Sequence, residues 1–166
     1  MTVGTVTRDE IVYLAGIIDG EGSVTIVARD DPRTTRTQFQ PRVLIFNTNA
    51  ELMDWIQERF GGTLLSDPAR PGRRTCYRLI WAGRRVIELL YKVRPFLIIK
   101  AERATVVIDG WRDAPKYVGN QHPLPQETWC KRKMAYIEIR RLNVNGSNRA
   151  GTRAPIREGR IEGAQL

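Results

Sequence analysis

Residues 7–22 of this 166-residue chain constrain its fold more strongly than any other segment. Thr7, followed three residues later by Glu10, has the pattern of a capping box, which predicts the start of a helix. Gly16 and Gly20 lie four residues apart and flatten one helix face, although each interior glycine costs about 1 kcal/mol relative to alanine. We therefore expect another backbone to approach this face closely. Apolar residues recur at helical spacing behind the cap: Ile11, Leu14, Ala15 and Ile18.

Two acidic residues, Asp19 and Glu21, fall at the C-terminal end of this predicted helix. Unpaired carbonyl groups and the helix dipole already make that end negative, so carboxylates are unfavourable there by themselves. A divalent cation would relieve the conflict, because carboxylate and carbonyl oxygens are hard ligands that suit magnesium. The alternative is a pair of solvated surface acids, for which the penalty is small. The helix end is therefore a candidate metal site.

The rest of the sequence predicts hairpins that alternate with helices. Strands are expected over residues 23–29, 38–47, 63–66 and 75–81, and helices over residues 51–60, 84–93, 96–111 and 127–142. Asn49 or Thr48 would cap the second helix, and Gly61 and Gly62 would stop it. This order predicts an α+β fold in which helices cover one face of an antiparallel sheet. Residues 1–142 would form a single domain, and residues 143–166 a loose basic tail.

Composition limits the classes of function. The 27 Lys and Arg residues outnumber the 18 Asp and Glu residues, and the net charge of +9 favours a polyanionic partner, either nucleic acid or an acidic membrane surface. The alternative is a soluble basic protein without such a partner. One histidine, His122, and two distant cysteines, Cys76 and Cys130, exclude zinc sites and leave carboxylates, lysine and a hard metal for catalysis.

Two further absences in the sequence bear on location. No apolar run approaches the roughly 20 residues of a membrane span, and no secretory signal precedes the first helix. We therefore expect a cytoplasmic or organellar protein that is not secreted.

The two predicted hairpins share a polar face that is rich in arginine and glutamine. These side chains can make paired hydrogen bonds to guanine and adenine in the major groove, which admits a two-stranded β-ribbon. Acidic residues on the hairpins are confined to the turns, whereas an ordinary solvated face would mix charges of both signs. We therefore expect this face to bind DNA through Thr25, Arg29, Gln38, Gln40, Arg42, Arg70, Arg73, Arg74 and Arg78.

The end of the predicted first helix resembles the LAGLIDADG motif of homing endonucleases. Ile17 stands in place of a leucine and Glu21 in place of an aspartate. The order of strands and helices over residues 10–112 is also similar to that family, which implies a saddle-shaped antiparallel sheet with helices on one face. The motif occurs once, which implies a homodimer, because members with two copies are pseudo-symmetric monomers. The motif consists of Leu14, Ala15, Gly16, Ile17, Ile18, Asp19, Gly20, Glu21 and Gly22.

The resemblance also implies roles for individual residues. Glu21 and the carbonyl of Gly20 would bind Mg²⁺. Lys100, in a segment similar to the family's lysine-bearing segment, would be the basic residue near the scissile phosphate. Asn47 would organise solvent in a role often held by glutamine, with Asn49 as the alternative. The dimer interface would be formed by Leu14, Ala15, Gly16, Ile18, Asp19 and Gly20.

The implied activity is magnesium-dependent hydrolysis of both strands of a long, pseudo-palindromic double-stranded DNA target. Two other functions remain open on the same fold: a maturase that binds intron RNA and assists splicing, and a DNA-binding protein that does not cleave. The presence of both Glu21 and Lys100 favours the nuclease.

Overall fold

The computed structural model describes residues 5–30, 37–72, 74–112 and 124–145. The helices are α1 (Arg8–Glu21), α2 (Ala50–Phe60), α3 (Arg84–Val93), α4 (Ala101–Trp111) and α5 (Gln126–Asn145), with a short 3-10 helix at Arg94–Phe96. The strands are β1 (Gly22–Asp30), β2 (Thr37–Asn47), β3 (Thr63–Asp67) and β4 (Cys76–Ala82). They form an antiparallel sheet in the order β1-β2-β4-β3. The predicted α+β fold is confirmed.

One face of the sheet, the core face, is apolar and is covered by the helices. Helices α1, α4 and α5 pack on β1, and α2 and α3 pack on β4. The indole N–H of Trp81 donates a hydrogen bond to the carbonyl of Phe60 at 3.1 Å, which fixes the end of α2 against the sheet. Burying one large apolar side chain contributes about 1.5–3 kcal/mol. Each of the core-face residues is at most 4% exposed: Val24, Ile26, Val43, Ile45, Leu79 and Trp81.

The start of α1 is held both locally and by α2. The capping box is present: the Thr7 hydroxyl accepts from the Glu10 N–H, and the Glu10 carboxylate accepts from the Thr7 N–H at 2.7 Å. The guanidinium of Arg59, at the end of α2, donates to the same carboxylate at 2.6 and 2.8 Å. The Arg59 hydrogen bond, followed by the Thr7 backbone bond, lowers the pKa of Glu10 to about 2.

Two consecutive glycines end α2, as the sequence predicted. Gly61 and Gly62 have φ angles of 70° and 104°, which favour glycine. A side chain at Gly62 would also meet Leu79 and Trp81, since a Cβ there would lie 3.0 Å from atoms of both. The chain can therefore turn back into β3 directly beside the core.

The predicted helix over residues 96–111 is wrong at its start. Phe96 ends the 3-10 helix, residues 97–100 are irregular, and α4 begins at Ala101. The backbone N–H groups of Ile98, Ile99 and Lys100 donate to the Asp19 carboxylate instead of entering a helix. A contact from the far end of α1 therefore overrides the local helical pattern.

The last helix is longer than predicted, since it ends at Asn145 rather than at residue 142. It crosses α4 closely, because a Cβ on Gly110 would lie 2.9 Å from the Cβ of Ala135. Its Trp129 donates an indole hydrogen bond to the Thr37 carbonyl at 2.9 Å and packs beside Phe39. The predicted loop carrying His122 and most of the predicted tail lie outside the described residues. None of the helices in the described ranges has both the length and the hydropathy needed to cross a bilayer.

Candidate active site and nucleic-acid interface

The carboxylate of Asp19, in the last turn of α1, holds the segment that leads into α4. It accepts three backbone hydrogen bonds, from Ile98 at 2.6 Å, Ile99 at 3.1 Å and Lys100 at 2.9 Å. In addition, the ammonium group of Lys100 donates to the backbone carbonyl of Asp19. These bonds fit a structural role for Asp19, because they engage both of its carboxylate oxygens.

Glu21, two residues further on, is exposed and meets Asn47 at the end of β2. The side-chain N–H of Asn47 donates to the Glu21 carboxylate. The oxygen of the Asn47 amide accepts from the Asn49 N–H at 2.9 Å, which fixes the orientation of the amide. Asn49 itself caps α2 by accepting from the Leu52 N–H at 3.0 Å. Of the two asparagines considered for this place, the structure brings Asn47 to Glu21.

Lys100 is half-buried beside the end of α1. Burial lowers its pKa, Asp19 opposes that shift, and Arg103 adds to it. Its ammonium group is anchored on a carbonyl only two residues before Glu21. Asp19, Glu21, Asn47 and Lys100 thus meet at one place, here called the α1 corner, although up to 81 residues separate them in the sequence.

The α1 corner contains suitable oxygen donors for a hard cation. The Glu21 carboxylate is exposed, and the Gly20 carbonyl lies in the last helical turn, where carbonyl groups have no intrahelical partner. Asp19 is already occupied by backbone N–H groups. Among the described residues there is no group of three His, Cys, Asp or Glu side chains that could hold a metal by themselves. The donor set therefore fits an ion that completes its coordination with water and a phosphate group.

The predicted dimer interface is wrong for the apolar residues of the motif. Leu14, Ala15 and Ile18 have no exposed surface in the single chain, because they face the core. Asp19 is tied to residues 98–100. Gly16 and Gly20 do lie on the exposed face, where an added Cβ would meet nothing within 4 Å. The sequence pattern combined two opposite faces of α1 into one interface.

The exposed face of α1 is a shallow groove that ends at the α1 corner. Tyr13 is 55% exposed and packs edge-on against Trp55, with their ring centroids 5.6 Å apart. Val12 and Tyr13 were not predicted as site residues, although both fall at helical spacing with Gly16 and Gly20. The groove is lined by Val12, Tyr13, Gly16, Ile17, Gly20, Glu21, Asn47 and Leu52.

The sheet face opposite the core, the outer face, carries most of the predicted nucleic-acid-binding residues. Arg29 lies opposite Gln38, and Thr25 lies opposite Arg42. The Arg42 guanidinium donates to Gln40 at 3.1 Å, and burial together with the charge of Arg29 lowers its pKa. These five residues form a polar end of the outer face.

The remaining arginines of the prediction lie towards the other end of the sheet. Arg78 occupies the middle of the outer face on β4, and Arg70 and Arg74 are exposed in the connection between β3 and β4. Arg73 lies outside the described residues. The basic side chains therefore run from Arg29, opposite Gln38 near the start of β2, to Arg70 and Arg74 in the connection between β3 and β4.

An apolar patch that was not predicted lies on the same outer face and is formed by Leu44, Phe46, Leu65 and Ile80. Directly opposite residues of an antiparallel pair share a face. Leu44 lies opposite Ile80, and Arg78 lies between Phe46 on β2 and Leu65 on β3. The signal was available, because Leu44 and Phe46 continue the alternation of Gln38, Gln40 and Arg42.

Comparisons with known proteins agree with this architecture. No protein-family model matches the sequence, and no curated protein matches it. Among solved structures, the homing endonuclease I-CvuI in complex with the I-CreI target is similar, with a TM-score of 0.68 and 18% identity over 90% of this chain and 87% of its own. The archaeal intron-encoded homing endonuclease I-Vdi141I complexed with DNA has a TM-score of 0.64 and 18% identity, and the match covers 89% of each chain.

A longer protein is also similar. The LAGLIDADG homing endonuclease I-GzeII in complex with a DNA target has a TM-score of 0.57 and 16% identity, and the match covers 78% of this chain but 43% of that protein. At these identities the likeness establishes the fold. The chain has the fold of the LAGLIDADG homing endonucleases, and the resemblance indicated by residues 14–22 is confirmed.

Proposed function

We propose that this protein is a site-specific, magnesium-dependent endonuclease that acts as a homodimer and cuts both strands of a pseudo-palindromic DNA target. The observation that carries the proposal is the α1 corner. There an exposed carboxylate, an oriented amide and an anchored lysine converge at the end of α1. The fold that presents them is shared with endonucleases that were solved on DNA.

Glu21 and the Gly20 carbonyl would hold the metal. Magnesium is commonly bound by one or two carboxylates together with water and substrate phosphates, which is the donor set available here. When bound, such an ion makes water a stronger nucleophile and offsets negative charge on reacting phosphate oxygens. The asparagine at position 47 orients the Glu21 carboxylate, since its amide is itself fixed by the start of α2.

Lys100 supplies positive charge at the end of α1, where its ammonium group is bonded to the Asp19 carbonyl. A lysine ammonium near a reacting phosphate stabilises charge that develops in the transition state, and the stabilisation is greatest when the group is held in place beforehand. Here the hydrogen bond to the Asp19 carbonyl holds the ammonium, and the bonds from Asp19 to residues 98–100 hold its backbone. The corner therefore needs little rearrangement when substrate arrives.

Two features support a homodimer. The motif occurs once in the sequence. The exposed face of α1 is also flat at Gly16 and Gly20, which allows a second helix to approach closely. Pairing of two such faces would bring two Glu21 side chains near a two-fold axis, one for each DNA strand.

The proposal is tested by incubating the full chain with a randomised duplex library and Mg²⁺, then sequencing the cleaved molecules. We expect double-strand cleavage of one family of two-fold-related sequences, and no cleavage in excess EDTA. Enrichment of a bound sequence without cleavage would contradict the nuclease and indicate a non-cleaving binder. Splicing activity on intron RNA, together with no DNA cleavage, would indicate a maturase.

The dimer is tested separately with Gly16→Leu. The substituted side chain has open space in the single chain, and leucine favours helix more than glycine does, so the protomer should fold at least as well. We expect sedimentation at micromolar concentration to show a monomer. Lys92→Leu, which adds a leucine to an exposed position of α3, is the control and should remain dimeric. A dimeric, active Gly16→Leu protein would show that this face is not the interface.

A further inference from the structure

We infer that the apolar patch on the outer face recognises the C5 methyl groups of thymines in the half-site nearest the cleaved bonds. The patch consists of Leu44, Phe46, Leu65 and Ile80. This inference rests on the proposed function. It assigns a ligand class, the 5-methylpyrimidine base, to residues outside the set of arginines and glutamines that is predicted to contact bases.

The patch is exposed to solvent and adjoins the α1 corner. Phe46 is 43% exposed and Leu65 42% exposed, whereas the core face of the same strands is almost fully buried. Phe46 immediately precedes Asn47, whose amide bonds Glu21. A duplex that reaches Glu21 with a phosphate therefore passes the patch with the neighbouring base pairs.

The surroundings of the patch fit a base edge better than a protein surface. Arg78 lies between Phe46 and Leu65, and its side chain is 35% exposed. The exposed N–H donors of an arginine can bond an acceptor on a base edge. In the major groove thymine presents a methyl group and the O4 acceptor together, and guanine presents acceptors without a methyl group. Arg70 and Arg74, exposed nearby, add charge that attracts phosphates.

In this inference the two ends of the outer face contact different chemical groups of the bases. Arg42 lies four residues before Phe46 on β2, which is about 14 Å at the rise of an antiparallel strand. That distance corresponds to about four base-pair steps of 3.4 Å. The inner positions of the half-site should therefore be read by methyl contact, and positions about four base pairs further out by hydrogen bonds.

The test begins with a bound half-site selected from a randomised duplex library. Each thymine is then replaced by deoxyuridine, which removes the methyl group and keeps every hydrogen-bonding group. We expect the dissociation constant to rise about three- to fivefold at one or two inner positions, the effect of withdrawing one methyl from an apolar contact. A C·G pair placed there should bind more tightly when the cytosine carries a 5-methyl group.

The protein side of the test uses Phe46→Ala and Leu65→Ala, both at exposed positions where truncation leaves the core intact. At least one of them should bind thymine and deoxyuridine duplexes equally at an inner position. Tyr91→Ala removes an exposed aromatic side chain from α3 and should keep the full penalty of deoxyuridine.

Three outcomes would overturn the inference. A protein that selects and cleaves a duplex, yet binds thymine and deoxyuridine equally at all inner positions, contradicts it and leaves the proposed function intact. Dissociation of a dimer by Phe46→Ala, with an unchanged deoxyuridine penalty, would make the patch a protein contact. Failure to select any duplex would overturn the proposed function and this inference together.

Discussion

The α1 corner and the outer face of the sheet use polar side chains in opposite ways. In the corner, each polar group is bonded within the protein: Asp19 to three backbone N–H groups, Lys100 to a carbonyl, and Glu21 to Asn47. On the outer face, the Arg42 guanidinium is bonded to Gln40 on its own strand, and the Arg78 guanidinium lies 3.8 Å from the Asp67 carboxylate although its Nε has no partner in the structure. Under the proposed function, the groups assigned to catalysis are therefore fixed before DNA binds, whereas the arginines assigned to base contacts still have N–H donors that DNA can engage.

Of all substitutions in the α1 corner and on the outer face, we expect the largest effect at Glu21. Glu21→Gln keeps the volume of the side chain but removes the charge that would bind metal, so cleavage should fall by about a hundredfold to a thousandfold. Binding to the same duplex should change little, because the outer face is untouched. Glu127→Gln, which neutralises an exposed acid in the first turn of α5, is the control. Full cleavage by purified Glu21→Gln would remove Glu21 from the site.

A smaller effect is expected at Asp19, which positions other groups. Asp19→Asn removes the charge and replaces one acceptor oxygen by a donor that faces backbone N–H groups. We expect the protein to lose about 1.5–3 kcal/mol of stability, as measured by denaturant unfolding, and cleavage to fall about tenfold to a hundredfold. Asp54→Asn, on the exposed side of α2, should leave both unchanged. A stable variant with normal cleavage would show that the corner is not held by this carboxylate.

On the outer face, Arg42→Ala should change the base preference of the protein rather than its rate of cleavage. A lost paired contact to a base costs about 1–3 kcal/mol and relaxes the preference at one position. In a homodimer the relaxation appears at two symmetric positions. The measurement is cleavage of a randomised target library, with Lys92→Ala on α3 as the control. A uniform loss of affinity with an unchanged preference would make Arg42 a phosphate contact instead.

The smallest effect is expected far from both regions, at the pair formed by Glu10 and Arg59. The folded pKa of Glu10, about 2, lies below its ordinary value of 4.5. Its contribution to stability is therefore complete above pH 4.5 and is lost as the pH falls from about 4.5 to about 2. Glu10→Gln should lower the melting temperature at pH 7. The difference in melting temperature between the variant and the unchanged protein should close as the pH falls to about 2.

The matched control for that pair is Glu88→Gln, because Glu88 meets Arg84 at 3.2 Å on an exposed helix surface. Exposed pairs of this kind contribute little, so Glu88→Gln should scarcely change the melting temperature. Equal effects of the two variants at every pH would show that the pair of Glu10 and Arg59, which joins two helices, contributes no more to stability than an exposed pair within one helix.

Local patterns in the sequence predicted the elements well. The cap at Thr7, the stop at Gly61 and the alternation along β1 and β2 all act through neighbours in the chain, so their outcome is set within a few residues. The α1 corner was assembled by resemblance to a family, and the structure brings the four residues together. Their roles in catalysis remain predictions.

The misses have a common physical cause. Helical spacing shows that Leu14 and Gly16 lie on a helix, but the packing of the whole domain decides which face is buried. Likewise, the start of α4 depends on a carboxylate that is distant in sequence. Alternation along β2 places Phe46 on the outer face, but its neighbours Arg78 and Leu65 come from two other strands, so the apolar patch as a whole forms only in the sheet.

The bonds between Asp19 and residues 98–100 also limit when the α1 corner can form. They join positions 79 to 81 residues apart, so a chain that ends before residue 98 cannot form them. Closing a loop of this length costs entropy, which the bonds at the corner must offset. A partly synthesised or partly folded chain would expose Glu21 without a seated Lys100. The amide protons of Ile98 and Ile99 therefore serve as a native reporter, since their exchange with solvent marks each opening of the corner.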